Sequence, residues 1–382
     1  MRRRQNALVL CSLLFAASVM AQQTGVRMIG RWLPGNAPTA TYAGSTIVLG
    51  FKHSSTVSAD FKVLNTKAQQ PLFVSVSIDG GKAVRVALSR GAHPGLILAQ
   101  GLSDGAHVVT VRKEGEPSFG ALQFSNPLLD VAGRWLPVDE DRPVIEVIGD
   151  SDATGICALG PDSPEDAVSI WNPEWAAESL SWVGVLESEL AAVGHPADLV
   201  DLALSGSKTG SEADTYDYVA PGFSDARFGE YLPPSRKHAS LVLLWGGGND
   251  RHGGGDVARS KPVTYANLSA FQKGVYDQLS KIFARNPAVK VALLAYIDPT
   301  LPEWEPAYDE VRSLFTAEQR SRMFFLRIHV PKGKQDACEI DPKGHPNVSL
   351  HATWAGQILE WMMSPEVFGA LDFPGGEHWG DL

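Results

Sequence analysis

Ser151 stands within VIEVIGDSDATG, the segment from Val144 to Gly155. An apolar, β-favouring run that stops at a glycine and then a small hydroxyl residue reads as a buried strand presenting Ser151 at its carboxyl end. Open α/β sheets bind ligands at that end. A serine used as a nucleophile needs a base, and His345 in the stretch Asp341-Pro342-Lys343-Gly344-His345-Pro346-Asn347 supplies one. It precedes a helical pattern through Trp354, Ile358 and Trp361, which would hold an imidazole at the rim of a sheet. There it takes the Ser151 proton and returns it to a leaving alcohol. The bland alternatives are a turn or helix cap for the Gly-Asp-Ser tripeptide and a solvated loop histidine.

Acyl transfer also needs donors aimed at the developing oxyanion. Leu199–Gly206 and Leu241–Asp250 are two further apolar runs, the first ending in Gly206 and the second in Gly247-Gly248-Asn249-Asp250. As strands, they deliver these tips to the same edge as Ser151. The backbone N–H groups of Ser151 and Gly206 and the side-chain amide of Asn249 then form a three-donor hole. Ordinary turn chemistry would also place glycine and asparagine at strand ends. The order of the runs favours the catalytic reading.

The ordered set of Gly-Asp-Ser, a glycine after the next strand, Gly-x-Asn-Asp and a late histidine resembles the SGNH (GDSL-type) hydrolases. Position by position, the resemblance implies Ser151 as nucleophile, Gly206 and Asn249 as oxyanion donors and His345 as base. Gly30-Arg31, the run from Leu102 to Lys113, Ile145 to Ser151 and His345-Pro346-Asn347 are similar to the family 2 carbohydrate esterases. That resemblance covers nearly the whole chain after its leader and implies a β-sandwich ahead of a hydrolase domain. It also implies deacetylation of plant polysaccharides, such as acetylated xylan, mannan or glucomannan.

Two positions depart from the pattern. Asp152 follows the nucleophile where an apolar residue is usual, and Pro342 stands where the superfamily commonly has an aspartate three residues before its histidine. The group that orients His345 is therefore Asp341, a backbone carbonyl or Glu339, in that order. Readings with other activities remain: a general SGNH carboxylesterase or lipase on small or acyl esters, and a non-catalytic carbohydrate-binding protein on an esterase fold.

The elements that must position these residues divide into two sets. Val74, Val76 and Ile78, then Asp79-Gly80-Gly81, then Val84, Val86 and Leu88 read as a hairpin, and Val109 and Val111 continue the alternation. This first set predicts a jelly-roll-like β-sandwich over residues 22–137. The pentapeptide Gly-Arg-Trp-Leu-Pro occurs at Gly30–Pro34 and again at Gly133–Pro137, as entry and exit strands of that sandwich would. Residues 138–382 alternate instead: strands at 144–148, 199–204, 241–245, 289–297 and 323–328, with helices near 175–193, 265–283 and 305–315. That spacing implies a three-layer α/β domain with a parallel sheet.

Composition bounds the rest. A net charge of −10 argues against nucleic-acid or anionic-membrane partners, and the chain reads as a monomer acting on acetylated polysaccharide or oligosaccharide. Arg2-Arg3-Arg4, an apolar stretch to Met20 and a small-residue site at Ala21 form a leader over residues 1–21, implying a secreted or periplasmic product. Of the two cysteines beyond it, Cys157 lies six residues after Ser151 and Cys338 seven before His345. A fold uniting serine and histidine would bring these thiols together as a disulfide; two buried thiols are the alternative. No metal-ligand spacing or cofactor motif occurs. Trp171, Trp245 and Asp250 are candidates for contact with sugar. An unperturbed His345 would lose activity as pH falls through about 6–7.

Overall fold

Alternation of apolar and polar residues produces the strands of the first half: β1 (Val26–Ile29), β2 (Trp32–Leu33), β3 (Thr39–Ala40), β4 (Thr46–Lys52), β5 (Thr56–Leu64), β6 (Leu72–Ile78), β7 (Val84–Leu88), β8 (Gly91–Gln100), β9 (Ala106–Lys113), β10 (Ala121–Leu129) and β11 (Arg134–Trp135). A computed structural model describes residues 25–33, 35–64, 70–138, 142–161, 171–207, 209, 239–245, 249, 264, 266, 268–297, 304–329, 336–337, 345–364 and 367. The strands form two antiparallel sheets, one ordered β1-β4-β9-β6-β7 with β11 also on β4, the other β2-β3-β10-β5-β8. Ile47, Leu49 and Phe51 of β4 and Val109 and Val111 of β9 face Val57, Phe61, Leu122 and Phe124 of the second sheet in one core. The hairpin forms in the expected register, Val76 opposite Val84. The two Gly-Arg-Trp-Leu-Pro copies contribute β2 and β11, one to each sheet.

The second half begins with β12 (Val144–Ile148), whose five residues are all buried. There follow α1 (Ser151–Thr154), α2 (Trp182–Ala192), β13 (Asp198–Asp201), β14 (Leu241–Trp245), α3 (Ala270–Arg285), β15 (Lys290–Ile297), α4 (Trp304–Ser313), α5 (Ala317–Arg320), β16 (Met323–His329), β17 (Asp336–Ala337), β18 (His345–Pro346) and α6 (Val348–Met362). The five long strands run parallel in the order β13-β12-β14-β15-β16. Residues of α3 and α4, among them Phe271, Leu279 and Tyr308, cover one face. Trp182, Leu186, Trp354 and Ile358 of α2 and α6 cover the other. The order reverses between β12 and β14, so the crevice outside their carboxyl ends is the natural ligand site.

Three expected elements are shorter than their sequence patterns. The helix expected over 175–193 begins at Trp182, because Arg85 of β7 takes the carbonyls of Pro173, Glu174 and Ala176, and Ser181 then caps the helix by accepting from the Val183 and Gly184 N–H groups. The strand expected over 199–204 ends at Asp201, whose Oδ1 accepts the Ala203 N–H at 2.8 Å and turns the chain. The Ser269 and Gln272 capping box likewise starts α3 at Ala270 rather than at 265.

The halves meet along a polar seam. Arg27 of β1 pairs with Asp198 of β13, and Arg112 of β9 pairs with Glu178 at 3.1 Å and with Glu187 of α2. Glu114 accepts the Ser179 N–H through its carboxylate at 3.0 Å. Apolar side chains cross the seam as well: Ile29, Tyr42 and Val48 pack into the parallel-sheet core, while Ile156 and Ala176 pack into the sandwich core.

Burial raises the Glu178 carboxyl from 4.5 to about 6, against the pull of Arg112. A raised carboxyl favours the folded state below its unfolded value, and that contribution is lost as pH rises through the folded value. Arg112→Ala leaves Glu178 buried without its cation. It should cost about 3–5 kcal/mol, and thermal melts should show the deficit growing as pH rises through 6. Adding Glu178→Gln should remove that pH dependence.

Candidate active site

Strand β12 ends at Ile148, and the Gly149-Asp150 turn brings the chain directly into α1, with Ser151 as its first residue. Asp150 is buried and caps this helix, accepting the Asp152 N–H at 3.1 Å. The short helix ends at Gly155, where φ is +71° and any Cβ would lie 2.5 Å from the Ala177 carbonyl oxygen. Only glycine fits such a conformation so close to another backbone. The aspartate of Gly-Asp-Ser is thus a cap and a clamp.

The chain after β13 returns to the same turn. Gly149 O accepts the Leu204 N–H at 3.0 Å and the Ser207 hydroxyl at 3.1 Å. Between these anchors Gly206 is exposed with φ of +81°, and its N–H makes no hydrogen bond to the described residues. Asn249, just beyond β14, donates through Nδ2 to Ser207 O at 2.9 Å and to the Asp150 carboxylate at 3.3 Å. Both partners are acceptors, so the amide nitrogen must face them. One amide therefore joins the loops after all three strands. Its longer bond, to Asp150, is the weaker of the two.

His345 lies on β18, which pairs with β17 through Ala337 and packs against both α1 and α6. The element carrying the histidine therefore contacts the one that begins with Ser151. Ser151 Oγ and His345 share no hydrogen bond; the contact between them is at the level of α1 and β18. His345 Nδ1 is buried without a partner among the described residues, while the side chain keeps partial exposure. Desolvation pushes the imidazole down from 6.5 to about 4, a correction to the range of 6–7 expected of an unperturbed ring. The second histidine, His351, is fully buried in α6, where its Nδ1 accepts the Trp182 N–H at 3.1 Å and caps α2. It serves that helix terminus.

The aromatic candidates separate. Trp245 does not contact sugar: it is 2% exposed and packed between the Trp182 and Trp354 rings, at 5.5 and 4.9 Å between centroids. Its place at the end of a strand buried on both faces sends it into the core. Trp171 is exposed and lies 6.4 Å from the Phe119 ring of the sandwich. Cys157 is disulfide-bonded. Its expected partner Cys338 lies outside the described residues, as do Asp341, Glu339, Asp250 and the leader.

The sequence reading missed Glu116. Its carboxylate, 1% exposed, accepts the Ser205 N–H at 2.8 Å, one residue before Gly206. The only local signal is a charged residue set between Gly115 and Pro117, and its partner lies 89 residues downstream.

Residues 28–138 match the family described as Carbohydrate esterase 2 N-terminal. No curated protein matches the chain. Among solved structures, a family two carbohydrate esterase from Clostridium thermocellum in complex with cellohexaose superposes with a TM-score of 0.69 at 18% identity, over 91% of this chain and 100% of that one. An acetyl xylan esterase from the rumen bacterium Butyrivibrio proteoclasticus gives 0.69 at 15%, over 89% and 95%. A salicylyl-acyltransferase from a tetracycline biosynthetic pathway gives 0.60 at 16%, over 91% and 97%. The chain has the two-domain fold of the family 2 carbohydrate esterases.

In an NMR titration of the imidazole protons, His345 should remain neutral at pH 5 and titrate near pH 4. A midpoint at 6–7 would mean that its surroundings admit water.

Proposed function

We propose that this chain is a secreted serine esterase that removes O-acetyl groups from plant cell-wall polysaccharides such as acetylated xylan, mannan or glucomannan. The observation that carries the reading is the convergence of Ser151, Gly206 and Asn249 on one turn at the switch point of a parallel sheet, tied together by the Asn249 amide. His345 comes to the same turn on β18.

Ser151 Oγ attacks the acetyl carbonyl as His345 takes its proton. The negative charge on the carbonyl oxygen is held by the N–H groups of Ser151 and Gly206 and by the Asn249 amide. The protonated imidazole then gives its proton to the departing sugar hydroxyl. Water, deprotonated by the same histidine, attacks the acetyl-serine; the bond from the acetyl carbon to Ser151 Oγ breaks, the imidazolium returns its proton to Oγ, and acetic acid leaves and ionises. A general base must be neutral to act, and the depressed His345 value keeps it so in mildly acidic surroundings. Asp341, a carbonyl or Glu339 orients the ring through Nδ1, which needs an acceptor in that role.

Trp171 suits a sugar platform, an exposed indole beside the Phe119 ring on the sandwich side of the site. A bond between Cys157 and Cys338 would fix the chain just past the nucleophile helix to the hairpin carrying His345, because Cys338 directly follows Ala337 of β17. The leader over residues 1–21 takes the enzyme to a compartment where such a bond persists.

The purified protein should release acetate from acetylated xylan or glucomannan, and Ser151→Ala should abolish the release. Asn249→Ala should lower turnover by about 10²–10³. The rate should hold nearly level between pH 7 and pH 5 and fall near pH 4. Faster cleavage of long acyl chains would indicate a general carboxylesterase, and sugar binding without acetate release a binding protein.

A further inference from the structure

Glu116 belongs to the sandwich domain, yet its carboxylate ends at the oxyanion loop. Oε2 accepts the Ser205 N–H at 2.8 Å, and Oε1 accepts the Ser118 hydroxyl. Its backbone is fixed in turn. Lys113, fully buried at the end of β9, donates through Nζ to Thr41 O at 2.7 Å, to Glu116 O at 3.3 Å and to Gly115 O. The Phe119 N–H also bonds Glu116 O, at 3.1 Å. The carboxylate is thus delivered by a locked turn.

The loop it meets is held at Ala203 by Asp201, at Leu204 and Ser207 by Gly149 O, and again at Ser207 by Asn249. None of these bonds holds the peptide between Ser205 and Gly206. The Ser207 N–H closes the turn around it on Leu204 O at 3.1 Å. The bond from Ser205 N–H to Glu116 fixes the residue that precedes this peptide.

Resting on the esterase reading, we infer that Glu116 is a positioning residue for the oxyanion hole, so that the sandwich domain takes part in acyl transfer by anchoring Ser205 and with it the place of the Gly206 N–H. It touches neither substrate nor reacting atoms. Its contribution is preorganisation, which is realised in the transition state and therefore appears in kcat rather than in KM.

The test uses the full protein, p-nitrophenyl acetate as a small substrate that spans no sugar subsite, and the variants Glu116→Ala and Glu116→Gln with their melting temperatures. Glu116→Ala should lower kcat by about 10–100-fold, at or below the loss for removing a donor outright, with KM within about twofold. Glu116→Gln keeps a carbonyl to accept the Ser205 N–H and should recover most of the loss, remaining about 3–10-fold below wild type. Should the alanine variant fail to fold, the glutamine variant decides by the same split. Wild-type kcat in either folded variant overturns the inference, as does a loss confined to KM. Glutamine no better than a folded alanine variant also overturns it. A wild-type protein that cleaves no acetyl ester sinks the esterase reading and this inference together, whereas an active wild type with an unaffected Glu116→Ala sinks this inference alone.

Discussion

Charge taken out of water must find opposite charge or hydrogen-bonding groups, and here the partners sit on different halves of the chain. Arg27 and Arg112 of the sandwich answer Asp198 and Glu178 of the parallel-sheet domain, and Glu114 and Glu116 answer backbone N–H groups across the same boundary. Separating the halves would expose Ile29, Tyr42 and Val48 and break each of these pairs. The seam is therefore the joint of one folding unit. Asp201, buried beside it with its carboxyl raised well above the usual range by desolvation and by Glu178, shows how crowded with charge the boundary is.

From that constraint the site follows in two steps. The parallel order sends the chain from β12 to one side and then back across to β14, which opens a crevice at their carboxyl ends. Three turns then share it, from β12, β13 and β14, and the Asn249 amide joins them. The seam brings the sandwich turn around Glu116 to the middle one. The turns that carry the donors of the proposed hole are thus tied to one another and to the sandwich, which would let them meet developing charge with little reorganisation.

Strands 144–148 and 241–245 were legible because both are buried on both faces and so appear as nearly continuous apolar runs closed by glycine, and both coincide with their elements. The same burial misled the reading of Trp245, since an indole at the tip of such a run can turn toward the crevice or the core, and only the Trp182 and Trp354 rings decide. Helix starts were misread where a distant side chain intervenes: nothing in residues 171–181 announces that Arg85 will claim their carbonyls. That Ser151, Gly206 and Asn249 come to one turn could be anticipated because their glycine-bounded contexts are local. The place of Glu116 could not, because its partner lies in the other half of the fold.

The sandwich begins and ends at one place. Strands β1 and β11 lie end to end along the same edge of β4, and Gly50 accepts from the Leu136 N–H while donating to Gly25 O, both at 2.9 Å. Covalently, the domain hangs from a single point, an attachment that by itself permits a swing. The ion pairs of the boundary act away from that point and convert the pivot into a clamp at two places. The turn bearing Glu116 is then held against the loop after β13 by the boundary as a whole and not by its own bond alone.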